Sequence, residues 1–151
     1  MNIVSLFLIT LASTTVMTLF SYGFSCLVHQ NLVEPYWLNR LLFKREGWRS
    51  PYGWITHYIT GIGFLYLIDL LRNYFSFPQY LEILIFGGLE GGLGILMWIL
   101  LFWFSKPSET FDRQRYYLNL LIAHILFAAT ALALLWVPIA TLWFKIILIN
   151  L

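Results

Sequence analysis

Three ionisable side chains stand within apolar tracts of the sequence and could do chemistry there: His57, Glu90 and His124. A neutral imidazole titrates near physiological pH and also binds haem iron and divalent metals. A carboxylate surrounded by lipid is costly unless it is neutral, paired or beside water. These residues are therefore candidates for a ligand or proton-relay site, with a metal or haem site at the two histidines as an alternative. The other alternative is that each group only hydrogen-bonds a neighbour and fixes packing.

Hydroxyl groups recur near the start of the chain and extend this candidate site. They follow helical spacing, which places them in one stripe, and a tyrosine lies beside them. The candidate residues are Thr14, Thr18, Ser21 and Tyr22, and the stripe continues to Ser25. We expect this stripe to be the partner of Glu90 and to form a polar interior together with the histidines.

Small residues surround the ionisable groups and indicate close helix packing. Within the segment GGLEGGLG, residues 87–94, three glycines share the helix face of Glu90 and two lie nearly opposite. In membranes, small residues let helix backbones approach one another, because apolar burial alone cannot choose the contacting faces. The residues predicted to pack are Gly61, Gly87, Gly88, Gly91, Gly92, Gly94 and Ala128. The second face could meet a neighbouring helix or another copy of the protein.

The composition defines the class of protein that must position these residues. Of 151 residues, 60% are hydrophobic and only 11% are charged, whereas soluble domains carry about 25% charged residues. This balance is typical of a helical membrane protein, with the lipid bilayer as its surroundings. The net charge of +2 is small and argues against binding to nucleic acid. The motifs GxSxG, HExxH and CxxC do not occur in the sequence, which favours a protein that is not an enzyme.

Four apolar segments are long enough to cross a bilayer, which takes about 20 residues each. We place them at residues 3–28, 54–74, 80–104 and 116–137. The first has no Lys or Arg ahead of its apolar run, so we expect a retained span and not a cleaved signal peptide. The first and third connections hold seven of the basic residues and the second span holds Arg72. By the positive-inside bias, both termini are predicted to lie outside the cytoplasm.

Two further segments are not predicted to span. Residues 34–45 place Trp37 and Leu38 on one face with basic residues at its margins, which is typical of an amphipathic helix in the membrane interface. The apolar tail 139–151 follows Pro138, which we expect to kink the chain. The predicted architecture is therefore all-α, a single domain over residues 1–151, with a four-helix transmembrane bundle, one interfacial helix and a kinked C-terminal tail.

The motif GWITHY, residues 53–58, resembles a family of small bacterial inner-membrane proteins catalogued as a domain of unknown function. The alanine-histidine pair at Ala123 and His124 is similar to the same family, as are residues 15–17. The resemblance implies a bacterial inner membrane, four spans and both histidines, and it implies no activity. The GGLEGGLG segment departs from the family pattern, so a role for Glu90 would be particular to this protein.

These features lead to one function hypothesis and two alternatives. The first is a small transport, proton-relay or accessory protein with a polar intramembrane site. The first alternative is a bis-histidine haem or quinone protein that transfers electrons. The second is a structural subunit of a larger membrane complex, or a homo-oligomer, that docks through its small residues.

Overall fold

A computed structural model describes residues 2–105 and 112–136 of the chain. Within these residues the protein is 84% helical and contains no strand, which confirms the all-α class. The five helices are α1 (Ile3–Val28), α2 (Glu34–Leu41), α3 (Tyr52–Tyr74), α4 (Gln79–Ser105) and α5 (Arg113–Trp136). By length and composition, all of them except α2 are able to cross a membrane. The described part of the chain is thus a bundle with four candidate spans.

The helix bounds differ slightly from the predicted spans. The bounds of α1 coincide with prediction, while α3 begins at Tyr52, two residues early, and α4 is one residue longer at each end. The fourth span begins at Arg113, three residues early, because the carboxylate of Asp112 accepts the N–H groups of Gln114 and Arg115 and caps α5 there. Residue 137 and the predicted tail 139–151 lie outside the described residues.

The fifth helix organises the bundle. It packs along both α1 and α4, whereas α3 packs mainly against α1 and α2 and makes only slight contact with α4. This arrangement leaves a loosely closed seam between α3 and α4. At the end far from α2, Arg72 and Glu82 close this seam with an ion pair at 3.4 Å between Nε and Oε2.

The second helix departs from the predicted interfacial helix. It ends at Leu41, four residues earlier than predicted, and its apolar side faces the protein. Trp37, Leu38 and Leu41 are buried in a cluster with Trp98 and other residues of α4 and α5. The helix therefore packs across one end of the bundle. We call this end the α2 end.

A buried asparagine holds α2 in this position. Asn39 donates through Nδ2 to the carbonyl oxygens of Gly47 and Ser50, both at 2.8 Å, and its Oδ1 accepts the N–H of Gly53 at 2.7 Å. A side chain at Gly53 would strike the carbonyl oxygen of Pro35. These contacts tie α2 and the following loop to the start of α3. The location of α2 at a membrane interface stays a prediction.

Candidate functional site

A cavity of about 150 Å³ lies in the seam between α3 and α4, toward the α2 end. All five helices contribute to its walls, so it lies inside the bundle and not on one face of it. The polar residues that line it are Thr14, Glu34, Thr56, His57, Thr60 and His124. We call this space the α3–α4 cavity. It brings both predicted histidines together with one residue of the hydroxyl stripe.

The hydroxyl stripe of α1 positions two of the titratable groups. Ser21 donates to Oε1 of Glu34 at 3.0 Å, and Oγ1 of Thr18 lies 3.0 Å from Nε2 of His57. Since helical residues rise by about 1.5 Å each, Thr18 lies about 4.5 Å deeper in the bundle than Ser21. Thr14 is a further turn along α1 and buried, and its hydroxyl has no hydrogen-bond partner in the described chain. The stripe thus carries a carboxylate and an imidazole at successive depths.

Glu34 is the polar group at the α2 end of the cavity and is only 2% exposed. Its Oε1 accepts from Ser21 and also from Nδ2 of Asn119, at 3.2 Å. Its Oε2 has no hydrogen-bond partner in the described chain. Burial raises the pKa of this carboxyl from 4.5 to about 7, against the lowering effect of its hydrogen bonds. At neutral pH a larger fraction of Glu34 is therefore protonated than of an exposed glutamate.

The hydrogen bonds of His57 assign its proton. Thr18 donates its hydroxyl hydrogen to the carbonyl oxygen of Thr14 at 2.7 Å. The Thr18 oxygen can therefore only accept from the imidazole, so a neutral His57 carries its hydrogen on Nε2 and a lone pair on Nδ1.

His124 has the opposite arrangement. Its Nδ1 lies 2.7 Å from the carbonyl oxygen of Leu120, and because a carbonyl oxygen only accepts, Nδ1 carries the hydrogen and Nε2 the lone pair. The ring meets Phe64 edge to face at 4.9 Å between ring centres. A methyl group at Gly94 would lie 2.8 Å from the imidazole. The absence of a side chain at Gly94 thus leaves room for the His124 ring.

Glu90 is buried at 0% exposure, and neither carboxylate oxygen has a hydrogen-bond partner in the described chain. It does not line the α3–α4 cavity. The expected pairing with the hydroxyl stripe does not occur, because α1 and α4 pack on α5 and make little contact with each other. Glu90 lies one helical turn from Gly94, so its level is about 6 Å beyond that of the His124 ring.

The predicted packing residues fall into two groups. Gly87, Gly91 and Gly94 face α5, and Ala128 lies opposite Gly87, as predicted. Gly61 approaches Thr14 of α1 so closely that a side chain there would strike the hydroxyl. The other two predicted residues have open space beside them. A methyl group at Gly88 or Gly92 would meet nothing within 4 Å among the described residues, so neither packs against a helix in that part of the chain. A contact with another copy stays a prediction.

Tyr22 does not join the site. Its ring stacks on Trp48 and Trp54, with centres 5.6 and 6.4 Å apart, and it does not line the cavity. The position of Tyr22, one residue after Ser21, turns its side chain away from the hydroxyl stripe and toward these tryptophans.

Sequence reasoning missed Glu34 because it lies outside the spans and begins a short helix. A signal was present: Glu34 shares a helix face with the apolar residues three, four and seven positions on, Trp37, Leu38 and Leu41. An acid on the apolar face of a helix that packs inward must be buried. Sequence reasoning also gave no role to Asn119, a polar residue within the fourth span that donates a hydrogen bond to Glu34.

The described residues contain no group of three His, Cys, Asp or Glu side chains close enough to hold a metal ion. His57 and His124 therefore have no third ligand from this part of the chain, and a protein-bound metal at the histidines gains no support there.

The fold and the site together fit an integral membrane protein, a helical bundle with four candidate spans around an internal polar cavity. Comparison with protein-family models, with curated proteins and with solved structures gave no match. The resemblance to the uncharacterised bacterial family therefore stays a prediction, and the function has to be argued from the cavity.

Proposed function

We propose that this protein relays protons through the α3–α4 cavity and couples the relay to a small ligand, in a transport or accessory role. One observation carries the proposal: Glu34, His57 and His124, titratable side chains from three different helices, line one cavity. Buried titratable groups that share a cleft are characteristic of functional sites. Purely structural residues need not converge on an open space.

The hydrogen bonds suit these groups to proton transfer. Each imidazole holds its hydrogen in a bond to the Thr18 hydroxyl or the Leu120 carbonyl and has a lone pair on its other nitrogen. It can therefore accept a proton at that nitrogen and release it from the same nitrogen to water or to the next group in the cavity. Glu34, with its pKa near 7, takes a proton from water at the α2 end and passes it toward Nδ1 of His57. The cavity has room for several water molecules to bridge the remaining gaps.

Glu90 is the next titratable side chain beyond His124 and has no partner in the described chain. A buried, unpaired carboxylate in a span is a candidate to carry a proton or to bind a cation. In the proposed relay it receives the proton from the cavity, and movement of α4 against α5 would expose it to the far side.

The proposed setting is a bacterial inner membrane with both termini outside the cytoplasm. Basic residues of the first and third connections then place the α2 end, with Glu34, on the cytoplasmic side. In a Cys26→Ser background, an impermeant thiol reagent outside the cell should label Gln79→Cys and not Arg45→Cys. The reverse pattern would invert the orientation.

Proton flux into liposomes tests the relay. The purified protein is reconstituted with a pH-sensitive dye inside the vesicles, and a potassium gradient with valinomycin drives proton entry. Glu34→Gln, His57→Gln and His124→Gln should each slow the flux at least about tenfold, because each removes a proton-transfer group while keeping a hydrogen-bonding side chain. Glu46→Gln is the matched control, since Glu46 is exposed and pairs with the equally exposed Arg49.

Unchanged proton flux in the variants would contradict the relay. If Glu34→Gln and His124→Gln conduct protons as fast as the wild type, the cavity is not a proton path. Glu90→Gln tests the final step separately, because its effect depends on α4 and not on the cavity.

Two alternatives remain as proposals with less support. A haem or quinone held by His57 and His124 would need more space than about 150 Å³, since sites for drug-sized ligands span ~300–1,000 Å³. Soret absorbance in the purified protein would restore the haem alternative. A structural subunit role would use the open face at Gly88 and Gly92, and it requires a partner or a second copy that co-purifies.

A further inference from the structure

Three side chains that line the cavity have a hydrogen-bond acceptor without a protein partner in the described chain. They are His57 at Nδ1, His124 at Nε2 and Glu34 at Oε2, an atom that is itself buried. The hydroxyls of Thr14 and Thr56 also line the cavity and can either donate or accept. Thr60 donates its hydroxyl hydrogen to the carbonyl oxygen of Thr56. A ligand that complements the three acceptors must bring donors.

The rest of the cavity wall is apolar and aromatic, with Phe64, Trp98 and Phe127 among its residues. Leu42 and Met97 line the cavity while remaining 50% and 37% exposed. The mouth of the cavity therefore lies at the α3–α4 seam, near the α2 end, where lipid tails meet head groups if the four helices span the bilayer. A ligand with an apolar body can reach the cavity from there.

We infer that the α3–α4 cavity binds a small primary amine in its protonated form, with the ammonium group at Glu34 and the apolar tail along Trp98 and Met97. The inference rests on the proposed function only in assuming that the cavity admits a ligand. A primary ammonium group carries three N–H donors and no acceptor. An alcohol offers a single donor, and a carboxylate offers none and is repelled by Glu34.

Charge and size both support this ligand class. Among the described residues Glu34 is the only acidic one that lines the cavity, so an ionised Glu34 is a buried charge that a cation would compensate. The proximity of its pKa to 7 makes that ionised form accessible at neutral pH. Aromatic faces nearby add a cation–π attraction. A cavity of about 150 Å³ holds a body the size of benzene, which corresponds to a chain of about four carbon atoms.

Isothermal titration calorimetry on the full chain in detergent tests the inference with three probes of four carbon atoms each: butylamine, 1-butanol and butyrate. We expect saturable binding of butylamine, with butanol at least about tenfold weaker and butyrate not bound. Glu34→Gln should abolish the preference for the amine, because its uncharged side chain keeps the acceptor for Ser21 and Asn119 but loses the charge. Glu46→Gln should bind like the wild type.

Several results would contradict the inference that the cavity binds a primary amine. They are equal affinity for butylamine and butanol, a preference that survives Glu34→Gln, and tighter binding of hydroquinone than of butylamine. If Glu34→Gln fails to fold, Glu34→Asp keeps the charge and should bind butylamine more weakly than the wild type yet prefer it to butanol. Failure of the amine leaves the relay standing if Glu34→Gln still slows proton flux, so the two proposals fail separately.

Discussion

Glu34 is held in the cavity wall by Ser21 and Asn119 through one carboxylate oxygen, while its second oxygen has no partner in the described chain. Burial, and not a neighbouring charge, is the first cause of its raised pKa. Its neighbourhood explains this: the titratable groups that face it are Tyr116 of α5 and, on the cavity wall, His57 and His124. An uncharged environment favours the protonated acid.

The pH dependence of stability follows from this burial. The folded-state pKa of Glu34, about 7, lies above the ordinary value of 4.5, so folding favours its protonated form. This contribution is fully present below pH 4.5 and is lost as pH rises through 7, by about 3 kcal/mol. Thermal unfolding in detergent should therefore show a falling Tm between pH 5 and pH 8, and Glu34→Gln should flatten that fall.

Comparison of the two pH profiles isolates Glu34, because both proteins retain the other titratable groups. If the wild-type and Glu34→Gln profiles run parallel from pH 5 to pH 8, Glu34 is not buried as described. Glu46→Gln serves as the control that should leave the profile unchanged.

At the residue scale the sequence predicted the histidines and their shared side because intramembrane polar groups are few and must turn inward. It did not predict what they bind. The assignment of hydrogens on His57 and His124 depends on Thr18 and on the Leu120 carbonyl, contacts that exist only once the helices are packed.

The fourth helix shows how two adjacent glycines acquire different roles. A methyl group at Gly87 would lie 2.6 Å from Cα of Ile125, a backbone atom of α5 that cannot move aside as a flexible side chain could. A methyl group at Gly88 would meet nothing within 4 Å among the described residues. One face of α4 thus depends on the absence of side chains, and the other does not.

Alanine at these two positions gives a matched pair. Gly87→Ala should lower the free energy of unfolding by about 1–3 kcal/mol, because it overpacks the contact between α4 and α5. Gly88→Ala should be neutral or raise it by up to about 1 kcal/mol through better helix propensity. Thermal unfolding followed by circular dichroism measures both. Equal effects at the two positions would contradict the packing of α4 on α5.

At the element scale, the spans were predictable because long apolar runs have few other solutions. What the apolar face of α2 contacts was not predictable, because an apolar helix face has the same sequence pattern whether it meets lipid or protein. Its true partner is decided by Asn39, which binds Gly47, Ser50 and Gly53. Those hydrogen bonds require the loop to fold back over α2.

At the scale of the whole molecule, the order of the helices decides which polar groups meet. α5 lies against both α1 and α4, and this order separates Glu90 from the hydroxyl stripe that the sequence suggested as its partner. Hydropathy cannot encode such an order, because lipid tails are as apolar as leucine and burial alone favours no particular neighbour.

Both proposals depend on His57 and His124 directing lone pairs of opposite ring nitrogens, Nδ1 and Nε2, into the α3–α4 cavity. Nitrogen-15 NMR of histidine side chains in the detergent-solubilised protein measures this directly, with His57→Gln and His124→Gln assigning the signals and exposed His29 as the internal reference. We predict hydrogen on Nε2 of His57 and on Nδ1 of His124, both in slow exchange with water. If the two rings share one tautomer, or if their N–H hydrogens exchange as fast as those of His29, the two lone pairs do not face the cavity as described. In that case neither proposal stands.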